Sequence, residues 1–227
     1  MVAIPSNARS PATVGRKGPG PGRPKDLGKR AAILDAAKAM FTELGFERAS
    51  MDQIAAAAGV SKLTVYSHFG DKEALFGAAV KAHCEQQLPA SLFENDAGTP
   101  LRERLLTVAR AFYAMITSPE AVAGHRMLCA PQLTGSPLSR LFWEAGPSRV
   151  HKEFAGLLQR RIAAGELVID DVPRAAGQFF ALLKGEPHAM LVFGCCELDA
   201  AGIERHLAAS VDLFVRAYAS TGRETRA

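Results

Sequence analysis

The sequence predicts an all-α protein in which a three-helix N-terminal bundle with a helix-turn-helix precedes a larger helical domain. Two observations predict this class: apolar residues recur at helical spacing from residue 33 onward, and the alternation typical of β-strands is absent. Because no apolar run reaches the roughly 18 residues that a membrane span needs, we expect a soluble protein. The predicted divisions are an arm at residues 1–28, the bundle at 29–87, the larger domain at 88–220 and a tail at 221–227.

The arm at residues 1–28 has the composition of a disordered segment. It holds five of the thirteen prolines and no periodic apolar pattern, and it lacks the apolar stretch of a signal peptide. The first 30 residues carry seven Lys or Arg against Asp26 alone, a net +6, whereas the whole chain is +4. We favour an arm that strengthens binding to any duplex by counterion release. The alternative is minor-groove reading by Gly22-Arg23-Pro24-Lys25, which resembles the core of AT-hook peptides.

The first helix of the bundle is predicted from an amphipathic repeat. Its apolar residues follow the i, i+3, i+4, i+7 spacing, and Gly45 ends it because glycine reaches positive φ without steric cost. The residues of this face are Ile33, Ala36, Ala37, Met40, Phe41 and Leu44.

Two short helices joined by a tight turn are predicted next, between residues 50 and 69. Ser50 and Gln53 have the spacing of a capping box, which marks the start of the first helix. Gly59 ends that helix, and Ser61 is placed to cap the second one. The arrangement is that of a helix-turn-helix, which presents its second helix to the major groove of DNA.

The second helix has a buried and an exposed face. Val65 and Phe69, four residues apart, share the buried face. The other face carries one charge, hydroxyl groups and aromatic rings, which suit base edges and phosphates better than bulk water. Lys72, in the first turn of the next helix, is expected to grip a phosphate together with the free N–H groups there.

Residues 30–80 resemble the N-terminal DNA-binding domain of the TetR family of bacterial transcriptional regulators. Six elements match in order: I-L-x-A-A, G-F, S-M-x-x-I-A, A-G-V-S-K, T-x-Y-x-H-F and D-K-E-x-L-F. Six elements in register over some fifty residues form a specific pattern, whereas A-G-V-S alone would be weak.

The resemblance implies a set of DNA-binding residues within the helix-turn-helix. Lys62, Leu63 and Thr64 would choose the operator sequence, since a lysine can donate to guanine and apolar groups can touch a thymine methyl. Tyr66 and His68 would hold the backbone; packing groups with polar tips are the alternative for both, and packing is also the alternative for Leu63. The implied contacts are Ser50, Met51, Lys62, Leu63, Thr64, Tyr66, His68 and Lys72.

Further helical segments are predicted at residues 101–116, 137–162, 174–193 and 201–219. Ser118-Pro119 ends the first, Gly146-Pro147 bends the second, and Pro187 kinks the third because it removes a hydrogen bond. The third is apolar nearly all round, as in a helix buried between others. The last carries an apolar stripe of Ile203, Leu207, Val211, Phe214 and Tyr218.

The C-terminal part resembles the AefR-like regulatory domain of some TetR-type proteins. The matching residues include G-E-L at 165–167, D-D-V-P-R-A-A-x-Q-F at 170–179 and L-L-K-G at 182–185. The resemblance implies a homodimer built by the last two helices of each subunit, for which we expect the stripe of the final helix to form the interface. It also implies a small, apolar effector.

Aromatic, sulfur-containing and imidazole side chains of the larger domain are candidate ligand contacts, with ordinary core packing as the alternative for each. Trp143 and His151 stand out because a buried indole N–H and imidazole need partners. The candidates are Phe112, Met115, His125, Met127, Cys129, Trp143, His151, Phe180 and His188.

Catalytic, metal and cofactor sites are not predicted. The chain has no nucleophile elbow, phosphate-binding glycine loop or H-E-x-x-H motif, and its four cysteines show no C-x-x-C spacing, so a disulfide framework is not expected. The adjacent Cys195 and Cys196 could sense oxidants or soft metals, but small buried apolar residues are the simpler interpretation.

The sequence therefore predicts a dimeric, ligand-responsive transcriptional regulator of the bacterial cytoplasm, associated with the nucleoid. We expect a repressor that binds a pseudo-palindromic, double-stranded DNA operator and is released by its effector. The alternatives are a DNA-binding architectural protein without an effector and, less favoured, an enzyme that uses the helical C-terminal domain.

Overall fold

The computed structural model describes residues 26–94, 98–133, 135–195 and 199–220, and these residues are almost entirely helical. Most of the basic arm with its Gly-Arg-Pro-Lys motif, the tail at 221–227 and Cys196 lie outside them. Two short 3-10 turns, Ala90–Leu92 and Pro131–Leu133, link longer elements. The helices are α1 (Leu27–Arg48), α2 (Met51–Ala57), α3 (Lys62–Phe69), α4 (Lys72–Gln87), α5 (Leu101–Ile116), α6 (Pro119–Leu128), α7 (Pro137–Ala145), α8 (Pro147–Ala163), α9 (Val172–Phe193) and α10 (Ala200–Tyr218).

Helix α1 begins two residues earlier than predicted. The Asp26 side chain accepts hydrogen bonds from the backbone N–H groups of Gly28 and Lys29, so residues 26–28 belong to the capped start of the helix and not to the arm. At the other end Gly45 adopts φ +76° and ψ 166°, which breaks the helical path where the sequence predicted an end.

The buried apolar residues of the described chain form two separate cores. The N-terminal core is formed by α1–α4, with Ile33, Ile54, Val65 and Leu75 completely buried, and it also takes in Leu138 of α7. The second core joins α5, α8, α9 and α10 around a cluster of aromatic rings. Helix α4 contributes to both, since its first half packs in the N-terminal core and Cys84 packs in the second.

The helices of the larger domain follow the predicted segments with one addition. Helix α5 has the predicted bounds, and the segment at 137–162 is divided at Gly146 into α7 and α8. The addition is α6, which the sequence did not predict. Ser118 caps this helix and Pro119 occupies its first turn, so the Ser-Pro pair that ends α5 also starts α6.

Helix α9 breaks at Gly185, two residues before Pro187. Gly185 has φ +49° and ψ −162°, and the helix resumes beyond it. A proline excludes the helical path in the turn before it, and glycine absorbs the change of direction. The kink that Pro187 predicted is therefore present at the preceding glycine. In the single chain α9 is not buried all round, since Phe193 and Ala181 are exposed, and its burial between the helices of a dimer stays a prediction.

The apolar stripe of α10 faces inward, which corrects the prediction that it forms a dimer interface. Leu207, Val211 and Phe214 are buried in the second core, and the Phe214 ring packs against the rings of Phe179 and Phe154. A residue of a different α10 face, Leu213, is 48 % exposed.

We expect Gly185→Ala to lower the free energy of unfolding by about 1–3 kcal/mol. A Cβ atom at Gly185 would stand 2.8 Å from the imidazole carbon Cε1 of His206, in a backbone conformation that alanine adopts poorly. Urea denaturation measures the change.

Gly177→Ala is the matched control in the same helix. Gly177 has helical φ and open space where a Cβ atom would lie, so the substitution should leave stability unchanged or raise it by about 0.5–1 kcal/mol. Equal destabilisation by the two substitutions would contradict the assignment of strain to Gly185.

Candidate nucleic-acid interface and ligand cavity

The helix-turn-helix is held by the capping interactions that the sequence predicted. The Gln53 N–H donates to Ser50 Oγ at 3.2 Å and the Ser50 N–H donates to Gln53 Oε1 at 3.0 Å, which completes the capping box. Ser61 caps α3 by accepting from the Thr64 N–H at 3.1 Å. With Val65 completely buried beneath it, α3 has a fixed orientation on the bundle.

The outer face of α3 is exposed and only partly polar. Leu63 is 79 % exposed and Tyr66 41 %, while Lys62 and Ser67 are also exposed and Thr64 is half-buried. An exposed leucine beside hydroxyl groups gains little from water but can contact a thymine methyl group. The exposed face therefore has the composition expected of a surface that reads a groove.

Lys62 forms an ion pair that the sequence did not predict. Its Nζ atom lies 2.9–3.0 Å from both carboxylate oxygens of Asp52 in α2. The hydrogen bond from Lys62 to Asp52 raises the pKa of Lys62, so the ammonium stays charged. Ten residues separate the partners, a spacing without a helical signature. The pair links the two helices of the motif and fixes the direction of the Lys62 side chain.

Lys72 is anchored within the protein. Its ammonium group donates to the backbone carbonyl of Glu47 at 3.3 Å and lies 4.4 Å from the centre of the Phe46 ring. An ammonium has three donors, so further N–H groups remain for an anion. Its position is therefore set by the end of α1.

Two residues of the predicted DNA surface face the protein interior. Met51 is only 6 % exposed and belongs to the N-terminal core, because the first position of α2 turns toward α1; its assignment to the surface is wrong. His68 is half-buried with its ring 6.1 Å from that of Phe69, and its Nδ1 atom has no hydrogen-bond partner among the described residues. This placement favours the alternative of a packing group with a polar tip.

A cavity of about 380 Å³ lies between the N-terminal bundle and the larger domain. It brings together seven of the nine candidate ligand contacts. These are Phe112, Met115, His125, Met127, Trp143, His151 and Phe180. Residues from α1 and α4, among them Phe41, Phe76 and His83, complete the lining and were missed because the sequence carries no signal of contact between domains.

His188 and Cys129 do not line the cavity, which corrects their prediction as ligand contacts. His188 is buried directly behind His125, with the two rings 5.3 Å apart at an angle of 61°. Burial and the neighbouring His125 lower the pKa of His188 to about 4, so its imidazole is neutral at physiological pH. It supports a lining residue without touching the cavity.

One wall of the cavity is a stack of rings. The Phe180 ring lies 4.5 Å from that of Phe112 and stacks on His151 at 5.1 Å with an interplanar angle of 17°. Trp143 packs its ring against His151 at 5.6 Å and is 51 % exposed at the rim. Such a surface suits a flat aromatic molecule.

The cavity also touches the DNA-binding bundle. Lys38, Phe41 and Thr42 of α1 belong to its lining, as does Met127 of α6. The Met127 sulfur accepts a hydrogen bond from the Phe46 N–H at 3.3 Å. A molecule in the cavity would therefore contact the larger domain and the helix that ends beside Lys72.

The described cysteines differ in burial. Burial raises the pKa of the Cys84 thiol to about 11, so it stays protonated, whereas Cys129 and Cys195 are exposed free thiols. The interpretation of Cys195 as a small buried apolar residue is therefore wrong. Within the described parts of the chain, no group of three His, Cys, Asp or Glu side chains has the proximity of a metal site. None of the described helices combines the length and apolar character needed to cross a membrane.

Comparison with known families identifies two matching regions. Residues 33–79 match the family described as bacterial regulatory proteins, tetR family, and residues 103–220 match the C-terminal domain of AefR-like transcriptional repressors. The chain is 31 % identical to the uncharacterized HTH-type transcriptional regulator YdeS of Bacillus subtilis (strain 168) over 149 residues, or 64 % of this chain and 71 % of YdeS.

Solved structures share the fold over most of the chain. A TetR-family regulator from Mesorhizobium loti is 31 % identical with a TM-score of 0.72, covering 87 % of this chain and 99 % of its own. The flavonoid-responsive regulator FrrA is 36 % identical with a TM-score of 0.67, covering 85 % and 98 %.

Proposed function

The chain belongs to the TetR family of bacterial regulatory proteins, and from that premise we propose that it is a homodimeric repressor released from its operator by a small aromatic effector. TetR-family members are DNA-binding transcriptional regulators, a non-enzymatic class, so the enzyme alternative is set aside. The repressor description of the matching C-terminal family supports repression, and the flavonoid-responsive FrrA supports an aromatic effector. Such a protein would work at the nucleoid in the bacterial cytoplasm.

The cavity is the observation that carries this proposal. It is lined by rings from the larger domain and by residues of α1 and α4, so a bound molecule would contact both parts at once. A ligand shifts a conformational equilibrium by its differential affinity for the two states, and contact with both parts provides one. An architectural protein without an effector would not need such a cavity, and we therefore favour the regulator.

The proposed DNA contacts divide into residues that contact base edges and residues that contact phosphates. The residues proposed to contact base edges in the major groove are Lys62, Leu63 and Thr64. The hydrogen bond to Asp52 would orient the Lys62 side chain. Tyr66, Ser50 and Lys72 would hold the phosphate backbone, and Met51 is removed from the set because it is buried.

The groove between α9 and α10 is the proposed dimer interface. It is lined by small and apolar side chains, including Ala181, Leu182, Leu213 and Ala217, and Leu213 is 48 % exposed in the single chain. Two such surfaces related by a twofold axis would form a four-helix interface. Reading two half-sites requires the two α3 helices to stand about 34–36 Å apart, a spacing that this interface would set.

Lys62→Ala and Lys72→Ala should differ in their effects on DNA binding. On a duplex selected from a random pool by the wild-type protein, Lys62→Ala should reduce discrimination against a scrambled duplex by roughly 10- to 100-fold. Lys72→Ala should weaken both duplexes alike and lower the slope of log K against log salt by about 1. Salt titrations by fluorescence anisotropy measure both quantities.

Lys72→Arg is the control for Lys72→Ala, because it keeps a positive charge at this position of α4, beside the end of α1. Unfolding curves are needed as well, since the Lys72 ammonium also bonds to Glu47 and lies over Phe46. If both alanine variants lost affinity equally on selected and scrambled DNA, the division between base contacts and phosphate contacts would be refuted.

Leu213→Glu should convert the protein to monomers. It would place a charge in the apolar groove of each subunit, next to its symmetry copy, at a high desolvation cost. Sedimentation velocity measures the mass, and operator affinity should fall in parallel. Ala114→Glu, at an exposed position of α5 outside the groove, is the matched control and should remain a dimer. A dimeric Leu213→Glu protein would rule out this interface.

Gly124→Leu should uncouple effector from operator. Gly124 lines the cavity and has open space where a Cβ atom would lie, so a larger side chain can occupy ligand volume without displacing the backbone. We expect operator affinity within about twofold of wild type and at least roughly tenfold less release by an effector identified through thermal-shift screening. Gly124→Ala adds one methyl group and should keep the response. Unchanged release in Gly124→Leu would place the effector elsewhere.

A further inference from the structure

The charges around the cavity are unevenly compensated. Its lining contains two lysines, Lys38 and Lys184, and the carboxylate of Glu120. The Lys38 ammonium lies 2.8 Å from the Asp35 carboxylate, which compensates its charge. Burial lowers the pKa of His83, while the charge of Glu120 raises it and that of Lys38 lowers it further, so these three groups lie close to one another.

Lys184 of α9 lines the cavity and has no paired carboxylate among the described residues. It is half-buried, and within the described parts of the chain its ammonium has no ion-pair or hydrogen-bond partner. Burial lowers its pKa, and no carboxylate in the described part of the chain acts against that effect.

The groups facing Lys184 are imidazoles. Burial lowers the pKa of His125 on α6 and of His151 on α8, and the charge of Lys184 lowers both further. The same charge acts on His188, whose pKa is lowered mainly by burial. Neutral imidazoles can exchange hydrogen bonds with a ligand but cannot neutralise the lysine. An ammonium held among apolar rings gains most from an anion, because charge-assisted hydrogen bonds strengthen as water is excluded.

We propose that the effector is an aromatic acid whose rings lie on the wall of Phe180, His151 and Trp143 and whose ionised oxygen binds the Lys184 ammonium. The inference rests on the proposed effector-responsive function and deepens it. A carboxylate and a phenolate share this chemistry. The volume of about 380 Å³ lies near the lower end of the range for small-molecule sites and suits a compound of two or three rings.

The test compares acids with neutral molecules of the same shape. Biphenyl-4-carboxylate is paired with biphenyl-4-carboxamide, and 4-phenylphenol with 4-methoxybiphenyl, each titrated into the full-length protein. Trp143 is the only tryptophan of the chain and lines the cavity, so its fluorescence reports occupancy without DNA. Calorimetry gives the dissociation constants.

We expect at least one acid to bind the wild-type protein roughly tenfold or more tightly than its neutral counterpart, the size typical of a hydrogen bond between charged groups. The pair that shows the preference identifies the anion as carboxylate or phenolate. In Lys184→Met, which keeps the length and volume of the side chain, the preference should fall to near one while the neutral compound still binds. That retained binding shows an intact cavity.

Two further variants locate the effect. Lys152→Met removes an exposed lysine that follows His151 in the sequence and does not line the cavity. Lys38→Met removes the lining lysine that is already paired with Asp35. Both should keep the wild-type preference. A preference lost in Lys38→Met but kept in Lys184→Met overturns the proposal, as do equal affinities of acid and neutral compound or the absence of acid binding.

Operator release is measured separately, so that the two proposals fail separately. An acid that binds through Lys184 but leaves the operator complex unchanged would sustain this inference and remove the proposed regulation by a cavity ligand. Release by neutral aromatic compounds, with no advantage of the acids, would do the reverse.

Discussion

The packing of α4 into two apolar cores is the constraint on which the rest of this structure depends. Leu75 and Phe76 are buried in the N-terminal core, while Cys84, two turns further on, is buried in the core of the larger domain. A rigid helix anchored at both ends cannot change its tilt without repacking at least one core. The orientation of the DNA-binding bundle is therefore tied to the packing of the larger domain. The cavity opens beside this helix, whose Val80 and His83 form part of its lining.

Helix α9 has a comparable double role on the opposite side of the cavity. Phe180 and Lys184 face the cavity, whereas Leu182 faces the groove proposed as the dimer interface, and Ala181 borders both. The break at Gly185 lies where these two surfaces end, and His206 of α10 closes against it by bonding to the Leu183 carbonyl at 3.0 Å. One helix thus separates the cavity from the groove proposed as the dimer interface, so a shift of this helix would alter both surfaces.

Local signals in the sequence predicted the helix-turn-helix and the helices other than α6. The capping box at Ser50, the glycine end at Gly45 and the bounds of α5 follow from residues within one turn of each other, and the structure confirms them. What depends on packing between distant elements was not predicted. The inward direction of the α10 stripe, the burial of Met51 and the Lys62–Asp52 pair result from contacts that periodicity does not encode. The cavity lining was predicted only from residue type. This explains why Phe180 was predicted correctly, whereas His188 was predicted to line the cavity but lies behind His125.

A cluster of three rings connects the cavity with Lys72 of the proposed DNA surface. Phe41 and Phe76 line the cavity, and both pack against Phe46 with centroid distances of 5.7 and 5.5 Å. Phe46 also donates its backbone N–H to Met127 and carries the Lys72 ammonium on its ring. A ligand that fits better when α4 is displaced would therefore act, across a single layer of side chains, on Lys72, the lysine proposed to bind a phosphate. A ligand shifts the position of α4 only by the difference between its affinities for the two positions of that helix. Contacts with Phe41 and Phe76 would differ between these positions and therefore promote release. Contacts of equal strength in both positions would not.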